Sequence, residues 1–556
     1  MLEKFFDKIL EEEKEIEEEE VERESKRVEE QEKPAKGGSA PGGKKFAWTD
    51  LIGPLVVFFL ALIPRLYFLY THDPQNPGYD WYGDVYHHWQ VAYLSKTVGF
   101  KQGFLRLWDF KGMEYFWGLL HPLVSIFLFT IAGSIDIVLI RLLSIVPGSI
   151  VIALIFLLIK RDFNASTAWA SALFLAFFPV TLFSDTIGMQ EPLGLILLFG
   201  GILAWPRYGA LTGFLWGLAA MDRAEYWLFS AAFVFAALLD RRKEVKSGAR
   251  ISLFFGWLIV ILFYMKYLAA WTGNYIYPIY WNFLASVVGK WFEKEKTAYL
   301  PYEYYSEVKI AGALLFILAA IVVVWLLKQR KRYYLWTLLG FLNLGLVGFM
   351  FSFAAYSRGY LDRFLVDRLF AWPYGFLGIL LFIFLLYVLP KKFKLWHKLK
   401  LGWLIWLIVL AVSMLFWKPI NHYFTIAQRP WPRAIKLAER TAKFWDKKGK
   451  IAVPENRPDY VYALVRYHGV TGEQLVGEMF DAFYYLGDDP FANWEENWPK
   501  VEEWLRKEDI SLFVIPRSRW DYMGMLRRQP RDFKILEGKT LKEASDPVFV
   551  QPAWRE

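Results

Sequence analysis

The chain has 556 residues, 55% of them hydrophobic and 19% aromatic, which is far more apolar than a soluble globular protein of this size requires. The absence of cysteine excludes disulfide bonds, thiolate metal sites and a cysteine nucleophile. The formal net charge of +9 does not indicate nucleic-acid binding, because much of the basic excess lies in short stretches between apolar runs, where charges orient a membrane protein.

Residues 1–45 are predicted to form a charged N-terminal arm with a Gly/Pro linker. Residues 1–33 contain fifteen Asp or Glu and seven Lys or Arg, and PAKGGSAPGGKK follows. The segment lacks the apolar core and the cleavage site of a signal peptide. We expect a solvated charged helix or a disordered arm; the alternative is a helix whose apolar face, carrying Leu2, Phe5 and Ile9, contacts a membrane surface or a partner.

Residues 46–418 alternate between apolar runs and polar links. A run of about 17–25 apolar residues suffices for a helix to cross about 30 Å of hydrocarbon. Eleven spans are predicted, near residues 49–70, 137–160, 166–184, 191–206, 208–221, 224–240, 250–270, 307–328, 333–355, 366–390 and 401–417. The sequence therefore predicts an all-α polytopic membrane domain with about 11 transmembrane helices.

Basic residues orient these spans. Lysine and arginine concentrate on alternate links, which by the positive-inside rule are cytoplasmic, together with the N-terminus. These links carry Lys44-Lys45, Lys160-Arg161, Arg207, and the stretches 241–243, 328–332 and 391–400. The apolar segment 119–133, LLHPLVSIFLFTIAG, would invert this pattern if it were a span, so we expect an interfacial or re-entrant helix on the outer side.

The remaining links face outward and carry carboxylates and arginines. They contain GYDWYGDVYHHW (78–89), SDTIGMQE (184–191), MDRAEYW (221–227), the long loop 271–306 and YSRGYLDRFLVDR (356–368). Because ionisable groups at membrane depth usually pair, line a wet cavity or take part in chemistry, these groups predict an outward-facing cavity.

Individual residues of these links have alternative interpretations. Asp80 and Asp84 are four residues apart and would share one face of a helix; alternatively, one caps the following helix and the other is solvated. Adjacent histidines at 87 and 88 point in different directions on a helix and make a poor paired metal site. Glu191 opens an apolar helix, whose N-terminus would stabilise its charge in any case.

DVYHHWQVAYL, residues 84–94, resembles the first external loop of GT-C superfamily glycosyltransferases. It is similar in particular to the D-P-x-Y-H-L-R pattern of archaeal oligosaccharyltransferase catalytic subunits. Asp84, Tyr86 and His88 match this pattern, whereas Val85 replaces its proline and Gln90 replaces its arginine.

Four further segments resemble GT-C elements in the same order along residues 50–417. WGLLHPL (117–123) resembles the W-x-P-L region that ends the first loop, and SDTIGMQEPLGLILL (184–198) resembles the acid-rich second outer loop of polyprenyl-phosphate-sugar transferases. MDRAEYW resembles the R-x-E start of a later span, and RFLVDRLFAWP (363–373) resembles the arginine-bearing segment before the last helices.

The resemblance implies a GT-C fold and a sugar donor carried on a dolichyl or other polyprenyl phosphate. Asp84 would then be the base that deprotonates an acceptor hydroxyl, with Asp80 and Glu191 as further catalytic candidates. Arginine binds phosphate well, and Arg223 has the alternative of a structural pair with Glu225. The implied phosphate-binding residues are Arg363, Arg358, Arg368 and Arg223, and the implied substrate-binding residues are Tyr86, His88 and Tyr302.

Residues 419–556 differ in composition from the membrane part. KGKIAVPENRPDYVYALVRYHG and KEDISLFVIPRSRW combine charged helical stretches with short β-branched runs, which predicts a small extracytoplasmic α/β domain. RWDYMG at 519–524 superficially resembles the WWDYG signature of oligosaccharyltransferases, but it lacks the first tryptophan and has an inserted methionine.

Two other functions remain open. An oligosaccharyltransferase-like enzyme would transfer a glycan to asparagine and would use Asp84 and Glu191 to hold a divalent cation, Mg²⁺ or Mn²⁺. A transporter or lipid flippase would use the same charged cavity, although the internal repeats and broken midplane helices common in such proteins are not evident in the sequence. No cofactor is required by the glycosyltransferase hypothesis.

Overall fold

The structure is a computed structural model that describes residues 49–71, 83–98, 118–240, 242, 245–280, 321, 334–356, 371–392, 431–454, 457–477, 502–503, 505–515, 531–537 and 547–555. The chain divides into two compact units, 1–52 and 53–556. Of the first unit, the described residues are the first four of helix α1. The predicted N-terminal arm and the predicted boundary at residue 418 lie outside the described residues.

The described part of the membrane region is helical. The helices are α1 (Thr49–Thr71), α2 (Gly83–Thr97), α3 (Leu120–Ala132), α4 (Ile137–Asp162), α5 (Ala165–Phe177), α6 (Pro179–Thr186), α7 (Glu191–Ala204), α8 (Gly209–Ala220), α9 (Ala224–Leu238), α10 (Ser247–Thr272), α11 (Tyr334–Tyr356), α12 (Ala371–Ile383) and α13 (Leu389–Lys392). A π-helical segment, Phe384–Val388, joins the last two.

Four described helices are long and apolar enough to cross a membrane: Leu51–Thr71, Ile137–Asp162, Ser247–Thr272 and Ala371–Val388. The pair α5 and α6, bent by 54°, is a fifth if it forms one broken span. These helices confirm a helical membrane protein. Three predicted spans, near 191–206, 208–221 and 224–240, correspond to the shorter helices α7, α8 and α9. The runs 307–328 and 401–417 lie outside the described residues, so the number eleven stays a prediction.

Helix α3 occupies the segment predicted to be interfacial. Its 13 residues make a helix of about 20 Å, which is shorter than the hydrocarbon core. Gly133 ends it in the left-handed conformation, with φ 59°, and Asp136 then caps α4 by accepting a hydrogen bond of 3.0 Å from the N–H of Val138. Four residues, 133–136, therefore separate the end of α3 from the start of α4.

Close backbone packing joins α8 to α10. Gly209, Gly213 and Gly217 recur every four residues on α8, and a Cβ atom at Gly213 would overlap the carbonyl oxygen of Leu253. Small residues at this spacing let helix backbones approach, which is how helices associate in lipid. This packing fixes the position of the α8–α9 link.

A buried ion pair ties three helices together. Arg65 of α1 donates a 2.8 Å hydrogen bond from Nε to Oδ2 of Asp185 in α6, and both side chains have no exposed surface. Trp372 of α12 donates from Nε1 to the other oxygen, Oδ1, at 3.2 Å. None of these three residues was predicted from the sequence to have a role.

The C-terminal region contains the small sheet that the sequence predicts. Helices α14 (Trp431–Phe444) and α15 (Pro458–His468) accompany strands β1 (Lys450–Val453), β2 (Leu475–Gly477), β3 (Ile510–Ile515), β4 (Phe533–Glu537) and β5 (Val548–Pro552). The strand order is β2-β1-β3-β5-β4, with the first two pairings parallel and the last two antiparallel.

Helix α2 packs directly against this C-terminal region. The Tyr86 ring stacks on Trp431 with ring centroids 5.6 Å apart, and Trp89 meets Tyr462 edge-on at 4.7 Å. The hydroxyl of Tyr93 accepts a 3.1 Å hydrogen bond from the N–H of Gly472. These contacts hold α2, and with it the first outer loop, against the α/β region.

Candidate active site

Helix α2 presents the predicted base at its N-terminus. Asp84 lies in the first turn and is partly buried. A carboxylate in this position interacts favourably with the helix dipole, and Asp84 and His88 lie one turn apart on the same side of α2. Asp80 lies outside the described residues, so the predicted pairing of the two carboxylates stays a prediction.

Tyr86 lies away from any open surface. Its side chain is fully buried between Trp431 and Tyr462, with ring centroid distances of 5.6 and 5.4 Å. A contact between its ring and a substrate, as predicted, would require α2 and the C-terminal region to separate. In the structure, Tyr86 positions Asp84 by anchoring the helix that carries it.

The other histidine of the adjacent pair, His87, lies near Asp84 and Asp459 of α15. Burial lowers the pKa of His87 to about 4, although the two carboxylates act in the opposite direction. His87 is therefore neutral at pH 7. The Asp84 side of α2 thus lies near the C-terminal region.

His88 connects α2 to α3. The rings of His88 and His121 are 4.8 Å apart between centroids and inclined by 50°, and both side chains are buried. His121 lies in the first turn of α3, outside the helices long enough to span a membrane. Burial, with a smaller contribution from the charge of Arg223, lowers the pKa of His121 to about 3, so this imidazole is also neutral.

The start of α3 is fixed against the α8–α9 link. The N–H of Leu120 donates a 3.0 Å hydrogen bond to the carbonyl of Met221. Gly118 has φ +90°, and a Cβ atom there would overlap the carbonyl oxygen of Asp222. This close approach requires glycine and brings His121 into the neighbourhood of Asp222 and Arg223.

Arg223 joins α7 to α9. Its Nη1 donates a 2.9 Å hydrogen bond to Oε1 of Glu191, and its Nε donates to Glu225. The hydroxyl of Tyr226 also donates to the backbone oxygen of Glu191 at 2.9 Å. Arg223 therefore forms the structural pair with Glu225 that was the alternative to phosphate binding. It also binds Glu191, the predicted catalytic carboxylate.

Asp222 is a further carboxylate beside this pair. It is fully buried, and its Oδ2 lies 2.8 Å from where a Cβ atom at Gly194, in α7, would be. Burial raises the pKa of Asp222 well above its usual range, while the charge of Arg223 and the backbone N–H of Gly194 act to lower it. The starts of α3, α7 and α9 thus bring their polar side chains together, and His88 of α2 contacts this group through His121.

Part of the chain resembles a known sequence family. Residues 118–267, less than half of the chain, match the sequence family described as dolichyl-phosphate-mannose-protein mannosyltransferase. No curated protein matches the chain by sequence.

Several solved structures are similar to this chain at low sequence identity. The Archaeoglobus fulgidus oligosaccharyltransferase in complex with Zn and sulfate is 11% identical, with a TM-score of 0.52 over 90% of this chain and 73% of that one. The archaeal oligosaccharyltransferase AglB from the same organism, in complex with an inhibitory peptide and a dolichol-phosphate, is 11% identical, with a TM-score of 0.51 over 85% and 70%. ArnT from Cupriavidus metallidurans bound to undecaprenyl phosphate is 13% identical, with a TM-score of 0.48 over 89% and 96%.

The chain has the fold of the GT-C membrane glycosyltransferases. The GT-C fold that the resemblance implies is therefore confirmed. The family match begins at Gly118 and includes the starts of α3, α7 and α9, but it does not include α2.

Several GT-C candidates predicted from the sequence cannot be placed. The phosphate-binding candidates Arg358, Arg363 and Arg368 lie outside the described residues, as do Tyr302 and the segment 519–524. Their roles stay predictions. Among the described candidates, the structure joins Glu191 to Arg223 and orients His88 towards His121.

A divalent cation does not fit the described residues. Asp84 and Glu191 were the predicted ligands, but Glu191 is engaged by Arg223, and no three His, Cys, Asp or Glu side chains within the described ranges lie close enough to hold a metal ion. The mechanism proposed below therefore contains no step at a metal ion.

Sequence reasoning missed two residues that the structure puts in this site. His121 and Asp222 lie in the quoted motifs WGLLHPL and MDRAEYW, but neither was assigned a role. A histidine directly before a proline at a helix start, and an acid directly before an Arg-x-Glu, were the available signals.

Proposed function

We propose that this chain is a membrane glycosyltransferase that transfers a sugar from a polyprenyl (dolichyl) phosphate to a hydroxyl of a protein or a lipid-linked glycan. The observation that carries the proposal is the meeting of the starts of α3, α7 and α9 around His121, Glu191 and Arg223. His88 contacts His121 and so joins this group to α2, the helix that carries Asp84. The positive-inside topology assigns these ends to the outer face of the cell membrane. The description of the matched family names a donor and an acceptor of the same classes.

The chemistry requires a base and a means of stabilising the leaving phosphate. The acceptor oxygen forms a bond to the anomeric carbon, the bond from that carbon to the phosphate oxygen breaks, and the lipid phosphate leaves with the electron pair. The acceptor proton passes to the Asp84 carboxylate, which acts as the general base. His88, one helical turn away, provides a neighbouring polar group.

The phosphate is assigned to the arginines after residue 356 and not to Arg223. Two carboxylates already occupy the Arg223 guanidinium, so an anion there would have to displace one of them. Arg363 is our first candidate, with Arg358 and Arg368 as alternatives, because a guanidinium binds phosphate through two parallel hydrogen bonds.

The test is turnover and donor affinity of purified variants in detergent. Asp84→Asn keeps size but removes basicity, so turnover should fall about 100-fold or more while donor binding is retained. Asp80→Asn should have a smaller effect, and Arg363→Gln should weaken both donor binding and rate. Asp136→Asn is the matched control, because asparagine caps α4 as well as aspartate does.

Thermal unfolding of each variant controls for folding. Near-normal turnover of Asp84→Asn with an inactive Asp80→Asn would transfer the role of base to Asp80. Full activity of both variants would contradict the mechanism.

Transfer of a whole glycan to asparagine is the second candidate function. It is favoured by the fold shared with the archaeal oligosaccharyltransferases and by the packing of the C-terminal region against α2. The two functions differ in their dependence on metal: chelation should abolish glycan transfer to asparagine and should leave transfer from a lipid-phosphate sugar to a hydroxyl intact.

A further inference from the structure

Arg223 and four side chains near it, which we term the Arg223 cluster, carry more hydrogen-bonding capacity than the described residues use. The cluster consists of His121, Glu191, Asp222, Arg223 and Glu225. Both ring nitrogens of His121 and Oε2 of Glu191 are buried without a hydrogen bond to any described residue, and the backbone N–H of Gly194 can satisfy at most part of the accepting capacity of the buried Asp222 carboxylate. Buried polar atoms in native proteins are nearly always paired, so atoms of this kind require a water or a ligand.

These open atoms come from three different helix starts. The Leu120–Met221 hydrogen bond holds His121 next to the α8–α9 link, and Asp222 in that link lies against α7 one turn from Glu191. Glu191 keeps one oxygen on Arg223 and leaves the other open. The arrangement is therefore built by tertiary contacts and is not an accident of one loop.

The charge of the cluster restricts the ligand. Three carboxylates surround one guanidinium, and the imidazole of His121 is neutral, so the net charge of the cluster is negative and stays negative when Asp222 is protonated. An anionic group would be repelled. Neutral hydroxyl groups fit, because they donate to carboxylate oxygens and can both donate to and accept from an imidazole.

The Arg223 cluster and the C-terminal region lie on different sides of α2, which indicates which substrate the cluster binds. His87 and the contacts of Tyr86 put the C-terminal region on one side of α2, whereas His88 meets His121 and α3 on another. A protein or glycan acceptor that approaches along the C-terminal region leaves the His121 side for the sugar of the donor.

We propose that the Arg223 cluster binds the hydroxyl groups of the donor sugar and selects a neutral sugar over a uronic acid. His121, Asp222 and the open oxygen of Glu191 are the specificity-determining groups, and Arg223 holds two of the carboxylates in place. This inference rests on the proposed function, because it assumes a sugar carried on a lipid phosphate.

The test uses the full-length protein in detergent and four probes: dolichyl phosphate, a dolichyl phosphate hexose, and the corresponding uronic acid and aminohexose forms. Direct binding and, where turnover occurs, KM are measured for the wild type, Asp222→Asn and His121→Phe. Ser171→Ala is the control, because it removes another buried hydroxyl without a described hydrogen-bond partner, in α5 and outside the cluster.

The wild type should bind the hexose form at least about 10-fold more tightly than bare dolichyl phosphate and should discriminate against the uronic acid, as expected for hydrogen bonds to charged groups. Asp222→Asn and His121→Phe should lose most of the hexose preference and keep the affinity for dolichyl phosphate. Asp222→Asn should also relax the discrimination against the uronic acid. Neither variant should lower the unfolding temperature strongly, since His121→Phe keeps the ring that packs on His88 and Asp222→Asn keeps an oxygen that can accept from Gly194. Ser171→Ala should retain the wild-type preference.

Equal affinity of the wild type for hexose and bare lipid forms would overturn the inference, as would an unchanged preference in both variants. Tighter binding of an aminohexose form than of the hexose form would assign the cluster to a cation and also overturn it. Absence of turnover with every donor, together with a retained hexose preference, would refute the proposed transfer while leaving the sugar site. Normal turnover with an unchanged preference in the variants would refute the sugar site alone.

Discussion

The buried pair of Arg65 and Asp185 provides a quantitative test of the packing in the membrane region. Arg65→Met replaces the guanidinium by an apolar group of similar length. Asp185 would keep the 3.2 Å hydrogen bond from Trp372 but would lose the cation 2.8 Å away, in a position with no exposed surface. Breaking a buried pair by removing one partner typically costs about 3–5 kcal/mol, and we expect a loss in the free energy of unfolding of that size.

The reverse change should be less damaging. Asp185→Asn retains an acceptor for Trp372, and Arg65 retains its hydrogen bonds from Nη1 to the carbonyls of Ala61, at 2.9 Å, and Ala176, at 3.2 Å. Because both variants remove the same interaction, the double variant should be more stable than the sum of the two losses predicts, with a coupling of about 0.5–3 kcal/mol.

The assay is chemical unfolding of the four proteins in one detergent, with Arg65→Lys as a variant that keeps the charge and loses the planar fork. Strictly additive losses would show that the two residues do not stabilise the fold as a pair. An Arg65→Met variant as stable as the wild type would refute the reasoning altogether.

Three further changes test other parts of the structure. Gly213→Leu should destabilise the protein by about 1–3 kcal/mol or more, because the leucine side chain would overlap the backbone of α10. Gly248→Ala, with open space around it, should be neutral or slightly stabilising, and equal effects of the two variants in chemical unfolding would contradict the packing. His87 takes up a proton near pH 6.5 in the unfolded chain and only near pH 4 in the folded protein, so acidification from pH 6.5 to 4 should lower the free energy of unfolding by about 3 kcal/mol. His87→Gln should flatten this pH dependence, and a wild-type pH profile in the variant would argue against the role of His87. In the cysteine-free chain, Ser134→Cys should react with an impermeant thiol reagent from outside the cell and Ser247→Cys should not; the opposite labelling would invert the topology.

Local sequence was sufficient for the helical membrane character and the small C-terminal sheet, which depend on the length of apolar runs and on β-branched runs such as Ile510–Ile515. The alternation of basic links, a property of the whole membrane region, singled out the segment of α3. The order of the GT-C-like motifs added the superfamily, because several weak patterns occurred in the same sequence order.

Only the tertiary structure decided which polar groups meet. Arg65 and Asp185 are 120 residues apart, and neither has a local pattern that names the other. His121 and Asp222 become part of one site because Gly118 permits a backbone contact with the α8–α9 link, and Tyr86 becomes a packing residue because α15 and Trp431 cover it. A local sequence pattern indicates which residues of a segment face water, lipid or the protein interior. The partners of a buried charge or ring depend instead on how distant segments pack, which is determined only when the whole fold forms.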